Sequence, residues 1–153
     1  MPQSLHIAII GGGAAGFFAA IEAKRNFPHA DITIFEKNSK VLAKVKITGG
    51  GRCNLTNSFD EISDLKQAYP RGHKLMKRLF KRFDYQHAFD WFEENGVPLV
   101  TQEDQCVFPQ SQDSHSIIDC LVNTAKRLGV KIQCNHQLTA ITELEDERLL
   151  MDF

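Results

Sequence analysis

Gly11, Gly13 and Gly16 stand in a G-x-G-x-x-G pattern directly after Ile7-Ala8-Ile9-Ile10, and Glu36 lies 36 − 16 = 20 residues past the last glycine. Each of these residues has a job in dinucleotide chemistry. Gly11 suits a tight turn off a strand, Gly13 has no Cβ to hold off a pyrophosphate, and Gly16 lets a helix approach that strand closely. A helix opening at Ala14 and Ala15 points its free N–H groups and the positive end of its dipole at the diphosphate. Glu36 accepts from a ribose hydroxyl and repels a 2′-phosphate, which favours FAD or NAD over NADP. The competing reading is a set of glycines that only turns a tight βα loop.

The elements that must hold those residues are legible around them. Ile7 to Ile10 is too short for a helix and unbroken as a buried parallel strand is. Ala14 to Asn26 forms the helix, closed by Pro28, and Asp31 to Glu36 forms the second strand. Strand, glycine turn, helix and strand predict an α/β fold with a Rossmann-like FAD/NAD(P)-binding domain.

A second chemical segment runs from Lys37 through Lys44 and Thr48-Gly49-Gly50-Gly51-Arg52-Cys53-Asn54 to Asn57. Three consecutive glycines disfavour regular structure, each costing about 1 kcal/mol against alanine. They predict a loop where backbone comes close to a ligand. With Arg52 as a fixed charge and Thr48, Asn54, Thr56 and Asn57 as hydrogen-bonding groups, the loop suits a polyanion or the edge of a heteroaromatic ring. A flexible hairpin tip is the plain alternative.

Gly49-Gly-Gly-Arg-Cys-Asn-Leu-Thr-Asn57 after such a unit resembles the BaiN/YhiN-type NAD(P)/FAD-dependent oxidoreductases, two-dinucleotide-binding-domain flavoproteins related to glutathione reductase. The similarity continues through Tyr69-Pro-Arg-Gly72, Trp91-Phe-Glu-Glu-Asn-Gly96-Val, Val107-Phe-Pro109 and Ile117-Ile-Asp-Cys-Leu121. Where that family often has a Gly-Arg pair before the Phe-Pro, this chain has Gln105-Cys106. The resemblance implies FAD as cofactor, its isoalloxazine near Gly49 to Asn54, and Leu138 offering backbone groups to the adenine edge. It also implies a longer protein, of which this chain is the N-terminal portion with its fold not completed, and hence a fragment that is colourless and unstable by itself. The organisation expected is a βαβ unit with the glycine-rich loop over 1–57, a mostly helical insertion over 58–112, and a helix and strands returning to the first domain over 113–153.

Further along, Lys74 to Phe83 has helical spacing, with Lys74, Lys77, Arg78, Lys81 and Arg82 on one side and Leu75, Met76, Leu79, Phe80 and Phe83 on the other. The apolar side is expected to face the core and the basic side to be solvated; a docking face for an anionic partner is the alternative. Asp84 caps a helix from Tyr85 to Asn95 that ends at Gly96, with Pro98 beyond. Phe89, Trp91 and Phe92 read as core. Leu99 to Thr101 and Cys106 to Phe108 read as short strands. Asp113 or Ser114 opens a helix with apolar positions from Ile117 to Leu128, ended by Gly129. Strands follow over Val130 to Cys134, Leu138 to Leu144 and Arg148 to Phe153.

Composition bounds the partners. The chain has 153 residues, 42% of them hydrophobic and 24% charged, with net charge −1 and pI near 6.6. Near-neutrality gives no general attraction to nucleic acid, and no apolar run is long enough to span a membrane. No cleavable leader stands before the first strand, so the cytoplasm is the expected location. Cys53, Cys106, Cys120 and Cys134 form no C-x-x-C and the six histidines no metal-binding spacing, so reduced thiols and no metal are expected. Cys53 tempts a redox reading but lacks a partner cysteine, and a buried thiol is the alternative.

The leading reading is an FAD-dependent oxidoreductase acting on unsaturated carbon centres of a small-molecule substrate, with NAD(P)H as a candidate electron donor. An NAD-dependent dehydrogenase and a non-catalytic nucleotide-binding module compete with it. The candidate cofactor contacts are Gly11, Gly13, Ala14, Ala15, Gly16, Glu36, Lys37, Lys44, Gly49, Gly50, Gly51, Arg52, Cys53, Asn54 and Leu138. No catalytic residue and no oligomeric state stand out.

Overall fold

A computed structural model describes residues 5–146 and 148–153. The described residues form two compact units, one from 5–45 with 121–146 and 148–153 and the other from 46–120.

The first unit is built on β1 (His6–Ile10), α1 (Ala14–Asn26) and β2 (Asp31–Glu36), at the bounds expected from the glycine pattern. β1 and β2 pair in parallel with His6 opposite Asp31 and Ile10 opposite Phe35. α1 lies against both strands and buries Phe17, Ala20 and Ile21. It stops at Asn26 because Phe27 precedes a proline, whose ring excludes the helical conformation there; Phe27 has φ −126° and ψ 72°. Along β2 the side chains alternate, so Ile32, Ile34 and Glu36 share the buried face. Pattern alone therefore carries a carboxylate to the buried end of a strand.

β6 (Lys131–Cys134) adds in parallel on the far side of β2, giving the order β1-β2-β6. β1 is thus an edge strand, and Ile10 is half exposed, where an unbroken apolar run had suggested burial. The last two strands do not join this sheet. β7 (Ala140–Glu143) and β8 (Leu149–Asp152) pair with each other as an antiparallel ribbon, and Phe153 stacks on Phe35 at 4.3 Å between ring centres. Leu138, expected to open β7, lies before it in an irregular stretch.

The second unit holds a three-stranded antiparallel sheet in the order β3-β5-β4, from β3 (Thr56–Asn57), β4 (Leu99–Thr101) and β5 (Cys106–Pro109). Its helices are α3 (Leu65–Ala68), α4 (His73–Leu79) and α5 (Tyr85–Glu94). α5 opens with a capping box in which Asp84 Oδ1 accepts from the His87 backbone at 3.1 Å and the His87 ring answers the Asp84 backbone. It closes at Gly96, whose φ of 85° places it in the left-handed cap position. Trp91 and Phe92 are buried and Phe89 half-buried.

α4 departs from expectation. It ends at Leu79 rather than Phe83, and Leu75, Leu79 and Phe83 are 50%, 49% and 41% exposed. Only Met76 and Phe80 of the apolar row turn inward, Phe80 meeting Phe59 and Tyr69 at 5.5 and 6.2 Å between centres. Helical spacing fixes which residues share a side, but burial also needs a neighbour to cover that side.

The division between the units falls inside two helices, α2 (Ala43–Ile47) and α6 (His115–Arg127). The triple-glycine loop therefore groups with residues 46–120. Asp113 Oδ1 accepts from the His115 N–H at the opening of α6, 2.9 Å away, while the Ser114 hydroxyl donates elsewhere, to the Lys46 carbonyl at 3.0 Å. Among the described residues no helix is long and apolar enough to cross a membrane, and no cluster of His, Cys, Asp and Glu could hold a metal.

Candidate functional site

In the first unit the glycine turn leaves four backbone donors unused. Phe17 is the first residue of α1 to bond back into the turn, to the Gly13 carbonyl at 3.0 Å. Among the described residues the N–H groups of Gly13, Ala14, Ala15 and Gly16 meet no acceptor. Gly13, Ala14 and Ala15 are also exposed. Unused N–H groups at the positive end of a thirteen-residue helix are the kind of arrangement that can receive an anion.

The glycines around that site are needed for different reasons. Gly11, at φ +106°, occupies a conformation that side chains rarely adopt, and its N–H continues the sheet by donating to Phe35 O at 2.8 Å. A Cβ on Gly16 would fall on the Gly11 carbonyl oxygen, so the helix packs against the turn only without one. Gly13 is different. Its φ of −89° is open to any residue and no protein atom lies within 4 Å of where its Cβ would be. Neither backbone nor packing requires glycine there, which leaves the space itself as the reason.

Gly12 was not among the sequence candidates, because the fingerprint treats its position as variable. A Cβ on it would lie 2.7 Å from Val41 Cγ1 and 3.0 Å from Glu36 Cβ. Its N–H donates to Glu36 Oε2 at 2.8 Å. Glu36 Oε1 accepts from the backbone and side-chain nitrogens of Asn38, at 2.8 and 2.7 Å. Those bonds, led by the Asn38 backbone N–H, hold the carboxyl below the ordinary Glu range against the opposing effect of burial. A carboxylate has about four acceptor positions, so three donors leave room for a hydroxyl. The signal for Gly12 was available only from the alternation that turns Glu36 inward.

Further along this unit, Leu138 sits half-buried between β6 and β7. Its neighbours are tied down, His136 N–H to Glu36 O at 2.9 Å and Thr139 N–H to Asp152 O at 2.8 Å. The Leu138 N–H and carbonyl have no partner among the described residues. Lys37 is exposed beside Glu36, and Lys44 is exposed on α2; neither forms an ion pair among the described residues.

In the second unit the triple glycine is no slack hairpin tip. It is a tight turn, Thr48–Gly51, continuing α2, a short helix that lies within the stretch read as loop. Gly49, Gly50 and Gly51 have φ of 57°, 67° and 88°. A Cβ on Gly49 would lie 2.6 Å from Asn54 N and 3.0 Å from Phe108. Arg52 lies over the Phe108 ring, its Cζ 4.2 Å from the centre, and donates to Gly49 O and Gln112 Oε1, each at 3.2 Å. The guanidinium is therefore held in place. Ser114 N–H donates to Gly51 O at 2.9 Å, tying α6 to the loop.

Cys53 is buried in this loop at φ 63°, and burial pushes its thiol above the ordinary value, which keeps it protonated and a poor nucleophile. Asn54 is exposed, with its N–H and side-chain amide unengaged among the described residues. Gln105 has φ 64°, which explains why a glycine suits that turn in the resembling family; here a Ser58 hydroxyl bond to Gln105 Oε1 at 2.6 Å accompanies the left-handed residue.

The HI0933-like protein Rossmann domain matches residues 5–153. The chain belongs to this family. It is the BaiN/YhiN type read from the Gly49 to Asn57 segment, a branch of the flavoprotein oxidoreductases. The chain is 31% identical over 135 residues to a 3-dehydro-bile acid delta(4,6)-reductase of Clostridium scindens, covering 88% of this chain and 32% of that protein. It is 24% identical over 147 residues to a ribosomal RNA dihydrouridine synthase of Haemophilus influenzae, covering 96% and 35%. It thus spans about a third of the length of the curated relatives it matches. Among solved structures it superposes on a 3-ketosteroid-delta4-(5alpha)-dehydrogenase from Rhodococcus jostii with a TM-score of 0.67 and 16% identity, over 99% of this chain and 43% of that one. A flavocytochrome c3 fumarate reductase gives 0.56 and 17%, over 95% and 29%. These likenesses show the Rossmann-like fold.

Proposed function

We propose that this HI0933-like chain holds the adenosine diphosphate end of FAD in a reductase of carbon–carbon double bonds conjugated to a carbonyl. The observation that carries the reading is the turn with four unused N–H groups beside a glycine that only empty space requires. The diphosphate is assigned to Gly11, Gly13, Ala14, Ala15 and Gly16, the ribose to Glu36, and the adenine edge to the free backbone of Leu138. Lys37 and Lys44 are nearby exposed cations in sequence that can screen the phosphates. Gly49 to Asn54 is assigned to the flavin ring on its own features: a rigid turn, a held guanidinium and an unengaged Asn54 amide. Bound FAD supplies hydride transfer, and NAD(P)H is the proposed donor that reloads it.

The substrate class comes from the relatives. The reactions in the names of the bile acid reductase and the dihydrouridine synthases share a chemistry, two hydrogens added to a ring double bond beside a carbonyl. A small organic substrate of that type is the first reading. A pyrimidine base within RNA is the second, favoured by the run of exposed cations between Asp64 and Asp84.

The test is FAD titration by flavin fluorescence quenching of a protein of the relatives' length that carries this chain, as parent and as Gly13→Val. Tight binding by the parent and loss of at least about tenfold in the variant, with the fold retained, is expected; tenfold is about 1.4 kcal/mol. Full flavin content in Gly13→Val would remove the diphosphate from this turn.

A further inference from the structure

We propose that the segment from Lys66 to Arg82 is a docking surface for the phosphate backbone of RNA, an inference that rests on the second substrate reading above. Seven Lys and Arg residues and no Asp or Glu fall between Lys66 and Arg82. All seven are exposed, and none has an ion pair or a side-chain hydrogen bond among the described residues. The bordering acids each cap a helix: Asp64 accepts from Lys66 N–H at 2.9 Å, and Asp84 Oδ1 accepts from the His87 backbone N–H at 3.1 Å. Both acids keep their charge, but two carboxylates stand against seven cations, so the segment stays strongly positive.

The apolar residues of the segment choose between anionic partners. Binding of a helix to a membrane surface scales with the apolar area it can bury as one face. α4 has seven residues; Met76 from its apolar row is half-buried, and Phe80 is already turned toward Phe59 and Tyr69. Leu75, Leu79 and Phe83 are each about half exposed and interspersed with cations, the Phe83 ring also lying 5.8 Å from that of His87. Scattered apolar side chains among cations match a strand that offers phosphates for the charges and base faces for an aromatic ring.

The test uses the FAD-loaded protein and a fluorescein-labelled, uridine-rich single-stranded RNA of about 20 nucleotides, long enough for several phosphate contacts. Anisotropy should report binding whose logarithm falls with the logarithm of salt concentration by about 0.7 per phosphate engaged, a slope near −3 for four contacts. Lys77→Glu with Arg78→Glu should weaken binding at least tenfold and flatten that slope, and the milder Lys77→Gln with Arg78→Gln should fall between. Flavin absorbance and circular dichroism should not change. Parent-like RNA affinity in both variants, or binding insensitive to salt, would overturn the proposal. So would capture by phosphatidylserine vesicles with no RNA binding. A flavin-loaded protein that reduces conjugated enones but ignores RNA removes this surface alone, whereas RNA binding by a protein that takes no flavin removes the reductase reading alone.

Discussion

Gly12 and Gly13 are neighbours that lack side chains for opposite reasons, and substitution should separate them. Gly12→Val places carbon against Val41 and Glu36, an overpacking that typically costs about 1–3 kcal/mol. A lowered unfolding midpoint with or without FAD is the expected outcome. Gly13→Val meets no protein atom and should leave the apo midpoint near that of the parent while removing the gain that FAD confers. Glu36 gives the third residue-scale prediction. Its folded pKa is depressed by the Asn38 and Gly12 bonds, so it contributes stability above the ordinary Glu range, lost as pH falls through the folded value. Glu36→Gln should flatten the acid limb of a stability–pH curve; an unchanged limb would show that other carboxylates set it. Glu36→Arg is a harsher change, because it strands the buried Gly12 N–H, at a cost of about 1–3 kcal/mol for a donor without a partner, and takes the acceptor from the exposed Asn38. It should lower apo stability as well as FAD affinity.

At the scale of elements, α5 is the clearest target. Asp84→Ala removes the acceptor for the His87 N–H and should cost about 1 kcal/mol of stability, read from the denaturation midpoint. That cap was legible because it is local: an acid, an apolar row, then a glycine and a proline. The βαβ unit was legible for the same reason, its glycines and its acid standing at spacings that strand and helix geometry impose. What could not be read depends on partners far away in the chain. α2 spans five residues, too few to show a period. The burial of α4 turns on what covers it, and β7 and β8 pair with each other because strand pairing is settled in space. At the site, Gly11, Gly16 and Glu36 fell where their types predicted, whereas Gly12 emerged only once β2 had turned Glu36 beneath it. Arg52 was read as a fixed charge, but its stacking on Phe108 needed β5 beside the loop.

For the whole molecule, the net charge of −1 is a sum that conceals its terms. Residues 65–83 carry seven cations and no acid, so the rest of the chain, with 18 − 7 = 11 cations and 19 acids, carries −8. Near-neutrality argued against a polyanionic partner, yet the attraction is set by the local field, which decays over about 8 Å in physiological salt. Chromatography reads that field directly. A resin touches one side of a molecule at a time, so a protein carrying this chain's segregated charge should be retained on a sulfonate column at a pH above the sequence pI of 6.6, where a uniformly mixed surface of equal net charge would pass through. Exchanging Lys77 and Arg78 for glutamate should advance its elution by far more than the same charge change made at Arg25 and Lys131, because only the first pair sits where the positive field is concentrated.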